Sequence, residues 1–211
     1  MTTRRSIRIG ATLLAAATIA ASARDARAAE EVFAFDKAHT KVGFRIRHAV
    51  SRVEGRFKDF DGTIWIDREN PARSRVELTI RATSIDTAND NRDNDLRGES
   101  FFDVARYPTI AFQSTKVESK GGDNYAVTGD FTMHGVTKSI VVPVQSNGFA
   151  KVGKTEKAGF SIAFPLNRKD YGVTWNRTLD QGALLLGDDV DISIEVEANK
   201  KEPEAPKSGG N

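Results

Sequence analysis

Alternation of apolar and polar residues runs through most of this chain. In VGFRIRH, Val42, Phe44, Ile46 and His48 fall on one side and Gly43, Arg45 and Arg47 on the other, the period of two that a half-buried strand imposes. RVELTIRA repeats it through Val76, Leu78 and Ile80, and YAVTGDFTM through Tyr125, Val127, Phe131 and Met133. GFSIAF does so through Phe160, Ile162 and Phe164, and VDISIEVE through Val190, Ile192, Ile194 and Val196. TIWID, TIAFQST and SIVVPVQ raise the candidates to about eight strands.

The links between these stretches are short and rich in turn residues, as in GGDN, HGV and ENPARS. Such links join antiparallel neighbours and are too short for a crossover helix. No segment recurs at a fixed period, so a solenoid or propeller is not supported. An all-β fold of eight hairpin-linked strands removes its exposed edges by closing into an antiparallel barrel. A two-sheet sandwich is the alternative.

One segment breaks the alternation. In TANDNRDNDLRGESFFDVARYP the spacing predicts a short helical insertion near residues 88–106. Thr87 and Asp90 are placed as a capping box, Asp93 and Arg97 as an i,i+4 pair, and Gly98 as the stop. A helix of about ten residues is marginal alone, so it must dock, with Leu96, Phe101 and Phe102 as its anchors. Asp93, Asp95 and Gly98 also match positions one, three and six of a calcium loop. Arg97 and Val104 then fall where oxygen ligands are required, which argues against calcium.

The chain has 211 residues, enough for one domain with a sizeable core, and no cysteine for a disulfide, a thiolate nucleophile or a zinc ligand. Its first 28 residues differ in kind. Arg4, Arg5 and Arg8 precede the apolar run IGATLLAAATIAA, and Ala26-Arg27-Ala28 is an A-x-A cleavage signature. A periplasmic location follows as the expectation, with cleavage near Ala28; TRRSIR suits a twin-arginine route and the rest suits the general one. The run is too short to span a bilayer.

That segment carries five Arg and one Asp, so the formal charge of +2 becomes 26 basic against 28 acidic residues, or −2, from Ala29 onward. Neither a Lys/Arg run nor basic residues interleaved with aromatics is present, which leaves nucleic acid without support as a partner. The end, NKKEPEAPKSGGN (Asn199 to Asn211), reads as a disordered tail. The expected organisation is a leader over 1–28, a barrel over 29–198 and a tail over 199–211.

GFAKVGKT, Gly148 to Thr155, matches the phosphate-binding pattern G-x-x-x-x-G-K-[ST]. That loop works only where a strand passes into a helix whose N-terminal amides hold the phosphates. Here an alternating strand follows, so the motif falls in a hairpin turn and no nucleotide is expected. GFSIA lacks the second Gly of a nucleophile elbow, and Ser161 reads as an outward strand serine. His39, His48 and His134 have no metal-ligand spacing and read as hydrogen-bonded structural residues. His48 continues an apolar face, and paired with an acid it is the one candidate for an isomerase or hydrolase. No enzyme, cofactor or metal site is otherwise indicated.

Several motifs, in order, carry a resemblance. DKAHTKVGFRIRHAV, GRFKDFDGTI, SIDTANDNRDNDLRGESFFDVARYPTIAF, GDFTMHGVTK and NRKDYGVTW, spread from about Phe35 to Ala198, resemble the YceI-like family of bacterial periplasmic proteins. Asp95 stands where that family often has a histidine before the leucine. The resemblance implies a lipocalin-like barrel whose long apolar cavity holds a polyisoprenoid or similar amphiphile, such as an isoprenoid quinone or a fatty amide. It implies a binding or carrier protein, not an enzyme; an envelope stress or interaction protein is the alternative.

The alternating faces supply candidate cavity residues: Phe44, Ile46 and His48; Val76, Leu78 and Ile80; Phe131; Phe160 and Ile162. For the rim, Leu96, Phe101 and Phe102 join NRKDYGVTW, in which Tyr171 and Trp175 would contact the chain and Arg168 would orient a headgroup. The opposing reading is that Arg168 pairs with Asp170 in a turn. A filled barrel and a hollow one alternate alike, so the pattern leaves both open, as it leaves open a homodimer.

Overall fold

The computed structural model describes residues 30–202. The expected leader over 1–28, and all but the first four residues of the expected tail, lie outside them. The alternating stretches form a single antiparallel sheet of eleven segments. β1 (Glu31–Phe35) and β2 (Lys41–His48) succeed one another along the same partner, the final strand β11 (Leu186–Lys200). β3 (Ser51–Phe57) and β4 (Phe60–Ile66) return beside them, and β5 (Arg75–Arg81) and β6 (Ile85–Asp86) run beside β4 and β3.

β7 (Thr109–Gly121), β8 (Asn124–Met133), β9 (Val136–Val152) and β10 (Thr155–Asn167) complete the meander to β11. Because β11 also pairs with β1, Phe35 opposite Ala198, the sheet closes as an eight-stranded barrel in which three of the eight strands are broken in two. Closure rules out the sandwich and leaves no long free edge.

The breaks lie side by side and are stitched together. Thr40 Oγ1 donates to Glu197 O at 3.0 Å, Lys58 N to Ser84 O at 3.1 Å, and Arg81 N to Asp59 O at 2.9 Å. At the first break the Asp36 carboxylate accepts from His39 Nδ1 at 3.0 Å, Asn199 Nδ2 at 3.2 Å, Lys157 Nζ at 3.2 Å and Ala38 N at 3.0 Å. These bonds, His39's foremost, hold it well below the usual carboxylate range. A depressed native pKa contributes stability that is full above the unfolded value of about 3.9 and is lost as pH falls through and below it. Asp36→Asn is therefore expected to flatten the fall in urea midpoint between about pH 5 and pH 2; an unchanged fall would discount this carboxylate.

All eight alternating stretches fall on strands, namely β2, β4, β5 and β7 to β11, with TIWID and RVELTIRA each running one residue past the strand end. β1, β3 and β6 escaped the pattern. In β3 the inward series is Val53, Gly55, Phe57, and the gap at Gly55 is filled from the next strand. The Phe44 ring, directly opposite, lies where a Gly55 side chain would begin, 2.3 Å from its Cβ position. Gly129 shows the same arrangement with less freedom. A Cβ there would stand 2.5 Å from the Gln113 carbonyl oxygen and 2.5 Å from the Phe112 ring. The carbonyl belongs to the neighbouring strand and cannot retreat without breaking the ladder. Gly129→Ala is expected to cost about 3 kcal/mol, the upper part of the range for overpacked sites, read as a lowered urea midpoint at unchanged slope.

The insertion forms α1 (Asp90–Arg97), followed by turns up to β7. Its cap is Asn89, whose side chain accepts from Arg92 N at 3.0 Å, and not Thr87. Ala88 adopts φ 58°, which turns the chain between the two and sends Thr87 inward. Thr87 donates through N and Oγ1 to the buried Asp93 carboxylate, and Arg92 reaches back to Thr87. The expected Asp93–Arg97 pair gives way to this: Arg97 donates to Thr83 O at 2.9 Å and Ile85 O at 3.0 Å, which ties α1 to β6. Gly98 ends the helix as expected, its N–H on Asp95 O at 3.0 Å.

At the other end of the chain, β11 continues through Asn199 and Lys200, two residues past the expected boundary, because β10 and β1 extend far enough to pair with them. The phosphate-loop lookalike is the β9–β10 hairpin, with Val152 opposite Thr155 and Gly153 at φ 62°.

Candidate functional site

The barrel encloses one elongated cavity of about 1040 Å³. It runs from a mouth between α1, the β2–β3 turn and the β10–β11 connection to a floor at the β4–β5 and β9–β10 turns, where exposed Arg68, Arg75 and Phe149 also border it. On the strands, Phe44, Ile46 and His48 of β2 and Val76, Leu78 and Ile80 of β5 line it. Phe131 of β8 and Phe160 and Ile162 of β10 complete that set. Apart from Ile80, these side chains are only half-buried although they point inward. In a filled core they would be covered, since large apolar side chains are normally fully packed there.

At the mouth, Leu96, Phe101 and Phe102 follow the helix into the wall. Phe102 meets the Phe57 ring edge-on at 5.8 Å, and Phe101 lies 5.1 Å from Trp175. Asn94, Asp95, Glu99 and Ser100 border the opening and are exposed, and His48 and Arg92 stand half-buried beside it. Polar groups therefore gather at both ends, with Asp67, Arg68, Ser74, Arg75 and Ser146 at the floor, and the length of the tube between the ends is apolar.

Two expected rim residues have other tasks. Tyr171 does not line the cavity. It is 1% exposed and stands edge-on to Phe131 at 5.3 Å, supporting the wall from behind. The chain turns it there through the short 3₁₀ turn Arg168–Tyr171, closed by Gly172 at φ 77°. Burial pushes its phenol pKa up.

Arg168 lines the mouth but is committed to the backbone. Nε donates to Gly187 O at 2.9 Å, and Nη1 donates to Val173 O at 2.7 Å and Trp175 O at 2.8 Å. Its remaining nitrogen faces Asp188 at 3.7 Å. Burial lowers its pKa, opposed by Asp188. The opposing reading, an Arg168–Asp170 pair, is also corrected: Asp170 meets Lys138 at 3.3 Å. A buried guanidinium has five donors to satisfy, and carbonyls of the connecting loop and of the start of β11 accept three bonds from it.

The floor was not legible beforehand. Arg68 lies over the Phe149 ring at 3.9 Å and pairs with Glu31 and Glu156, which Lys200 also bridges. Glu156 is held below its ordinary pKa by Arg68 and then Lys200, and Lys200 is raised by Glu31 and Glu156. The signal was only the charge of these residues, which a sequence cannot distinguish from a solvated surface.

The histidines divide as their surroundings dictate. His134 meets Tyr107 edge-on at 4.7 Å with Nδ1 at 3.1 Å from Tyr171 O, and His39 is held by Asp36. The His48 ring makes no hydrogen bond to a described residue. Asp36, His39 and Glu197 lie close enough to share a metal ion. The Lys157 ammonium, however, already sits between both carboxylates, 3.2 Å from Asp36, and supplies the cation.

Over residues 33–198 the chain matches the YceI-like domain. It belongs to the YceI-like family. Among YceI-like relatives, Protein YceI of Escherichia coli O157:H7 is 38% identical over 185 residues, covering 86% of this chain and 92% of the relative. The crystal structure of the Campylobacter jejuni YCEI protein is 38% identical, with a TM-score of 0.65 over 79% of this chain and 96% of that one. A polyisoprenoid binding domain from Saccharophagus degradans, 14% identical, has the same fold, with a TM-score of 0.60 over 80% and 98% of the two chains.

Proposed function

We propose that this YceI-like protein is an exported, periplasmic carrier that holds a long-chain isoprenoid or similar amphiphile, such as a quinone, polyprenyl lipid or fatty amide, without transforming it. The half-buried apolar wall around about 1040 Å³ of space carries the reading. At roughly 30 Å³ per heavy-atom-sized particle in a liquid, that volume takes on the order of 35 heavy atoms, about seven five-carbon units.

The polar end of such a ligand stays at the mouth, near His48, Arg92 and Asn94. No carboxylate pairs with His48 among the described residues. The polyisoprenoid-binding neighbour supports the same ligand class at the level of the fold.

Magnitudes set a length preference. Each buried CH₂ contributes about 0.8 kcal/mol, or roughly 4 kcal/mol for a five-carbon unit. Association costs about 4 to 15 kcal/mol, so about four units offset even the upper value. Affinity is expected to rise steeply with chain length and to level off near about seven units. A series of prenyl alcohols titrated against intrinsic fluorescence measures this, and affinity independent of length would overturn it. Native mass spectrometry of protein from its own cells, followed by organic extraction, tests the class directly. A near-stoichiometric long-chain isoprenoid or acyl amphiphile is the expected result. An empty protein that also refuses added quinones and prenyl lipids would favour a protein-interaction role instead.

A further inference from the structure

We infer that the lip of the mouth formed by the β2–β3 turn and the β10–β11 connection docks on a lipid bilayer, from which the cavity is loaded; the loading step rests on the carrier reading above. Three large apolar side chains are exposed on this lip: Val50, fully, Trp175 at 39% and Leu184 at 37%. Hydrogen bonds make them one surface. Ala49 N donates to Leu185 O at 2.7 Å, Arg47 Nη1 to Leu184 O at 3.3 Å, and Leu185 N to Arg177 O at 2.9 Å. Trp175 and Leu185 line the cavity, so the exposed surface is continuous with the inner wall.

Folding does not require this surface. The β2–β3 tip is a two-residue turn with Ala49 at φ 48°, a conformation for which hairpins prefer Gly or Asn. Ala-Val at the tip works against the turn, and Val50 gains no burial in return. An unfavourable tip beside an apolar opening points to a contact made outside the chain.

The size and chemistry of the lip select a bilayer. Three side chains are far fewer than the roughly 20–30 residues a stable protein interface takes from each side. Insertion into a leaflet needs only a few apolar anchors, among which tryptophan favours the headgroup level. Arg47 and Arg177 have no carboxylate partner among the described residues, and Arg52 shares Asp191 with Arg45. Such side chains lay their stems along apolar surface and put the guanidinium at the phosphates. Asp180 and Asp189 share this lip, whereas the other side of the mouth carries Asp95 and Glu99 on and just after α1. The surface therefore has a preferred tilt, with α1 turned away from the lipid.

The test uses the chain from Ala29, which includes the whole barrel, and vesicles of phosphatidylethanolamine with phosphatidylglycerol. Val50→Asp/Leu184→Asp alters two exposed residues that do not line the cavity, and Val152→Asp, an exposed position at the far end, is the control. The parent and the control are expected to pellet with vesicles and to extract a radiolabelled polyprenol from them. The double variant is expected to lose at least about tenfold in both, with uptake of the same polyprenol from detergent unchanged.

If the parent does not pellet, if the double variant pellets and extracts like it, or if Val152→Asp loses as much, the docking surface is refuted. Concentration-dependent dimers of the parent that the double variant abolishes would instead assign the lip to a second copy of this chain. Failure of the parent to take up polyprenol even from detergent would sink the carrier reading, and vesicle pelleting alone would then decide the docking.

Discussion

Ile162→Trp is expected to reduce affinity for long prenyl chains by at least about 100-fold while leaving the fold as stable as before or more so. Ile162 lies midway along β10, opposite Ile194 of β11 and Val144 of β9, and all three side chains line the cavity. An indole projecting from this level obstructs the path that a long chain must follow. The loss of even four five-carbon units below the obstruction, at roughly 4 kcal/mol each, far exceeds the roughly 2.7 kcal/mol that corresponds to a hundredfold change. A chain of two units, lodged above the obstruction, should be affected only a few-fold. The sign of the stability change separates a hollow barrel from a filled one. In a filled core the extra volume costs about 1 to 3 kcal/mol, whereas here it occupies empty space. A melting temperature depressed by several degrees, with long-chain affinity retained, would show that the cavity is not where the ligand lies.

Arg168→Ala is expected to destabilise the fold by about 3 to 5 kcal/mol, with any effect on ligand following from that loss. Removal of the guanidinium strands the carbonyls of Gly187, Val173 and Trp175, and each buried acceptor left without a partner costs about 1 to 3 kcal/mol. Arg168→Lys cannot span the three directions at once and should recover less than half of the loss. Equilibrium unfolding in urea measures both variants. Unchanged stability with an altered headgroup preference would restore the role that the residue's place in NRKDYGVTW first suggested.

How far the sequence could be read depends on which strand supplies each inward side chain. β2, β5, β10 and β11 fill their own inner positions, so their alternation is complete. β3 borrows Phe44 to cover Gly55, and the borrowed ring belongs to another part of the chain. β6 has only two residues and owes its place to Arg56 and Phe57 across from it. The same limit explains the site. Nine of the fifteen residues assigned to it lie on strands and line the cavity because the side of a strand follows from parity; Leu96, Phe101, Phe102 and Trp175 line it from outside the sheet, as apolar anchors of the helical insertion and the last connection. Tyr171 and Arg168 lie in the 3₁₀ turn where the chain leaves the sheet, and there parity gives no guide: packing against Phe131 places the one and the need of backbone carbonyls for donors places the other. Their motif drew attention to them correctly, but as supports of the wall and the lip. The Thr87 cap failed for a related reason: one residue at positive φ, Ala88, moves the start of α1 past it.

The charged floor gives the tube a direction. Arg68, Lys200, Glu31 and Glu156 tie the first and last strands of the barrel to the β4–β5 turn and to β10 with two cations matched by two carboxylates. On the carrier reading, a chain arriving from the mouth meets matched charges at this end, beside a partly exposed Phe149. On that reading the floor would receive an apolar tail more readily than a second polar group. A slender molecule that is polar at one end is then expected to be held in preference to one that is polar at both ends, such as a long α,ω-diacid, whose second carboxylate would have to compete with the ion pairs of the floor.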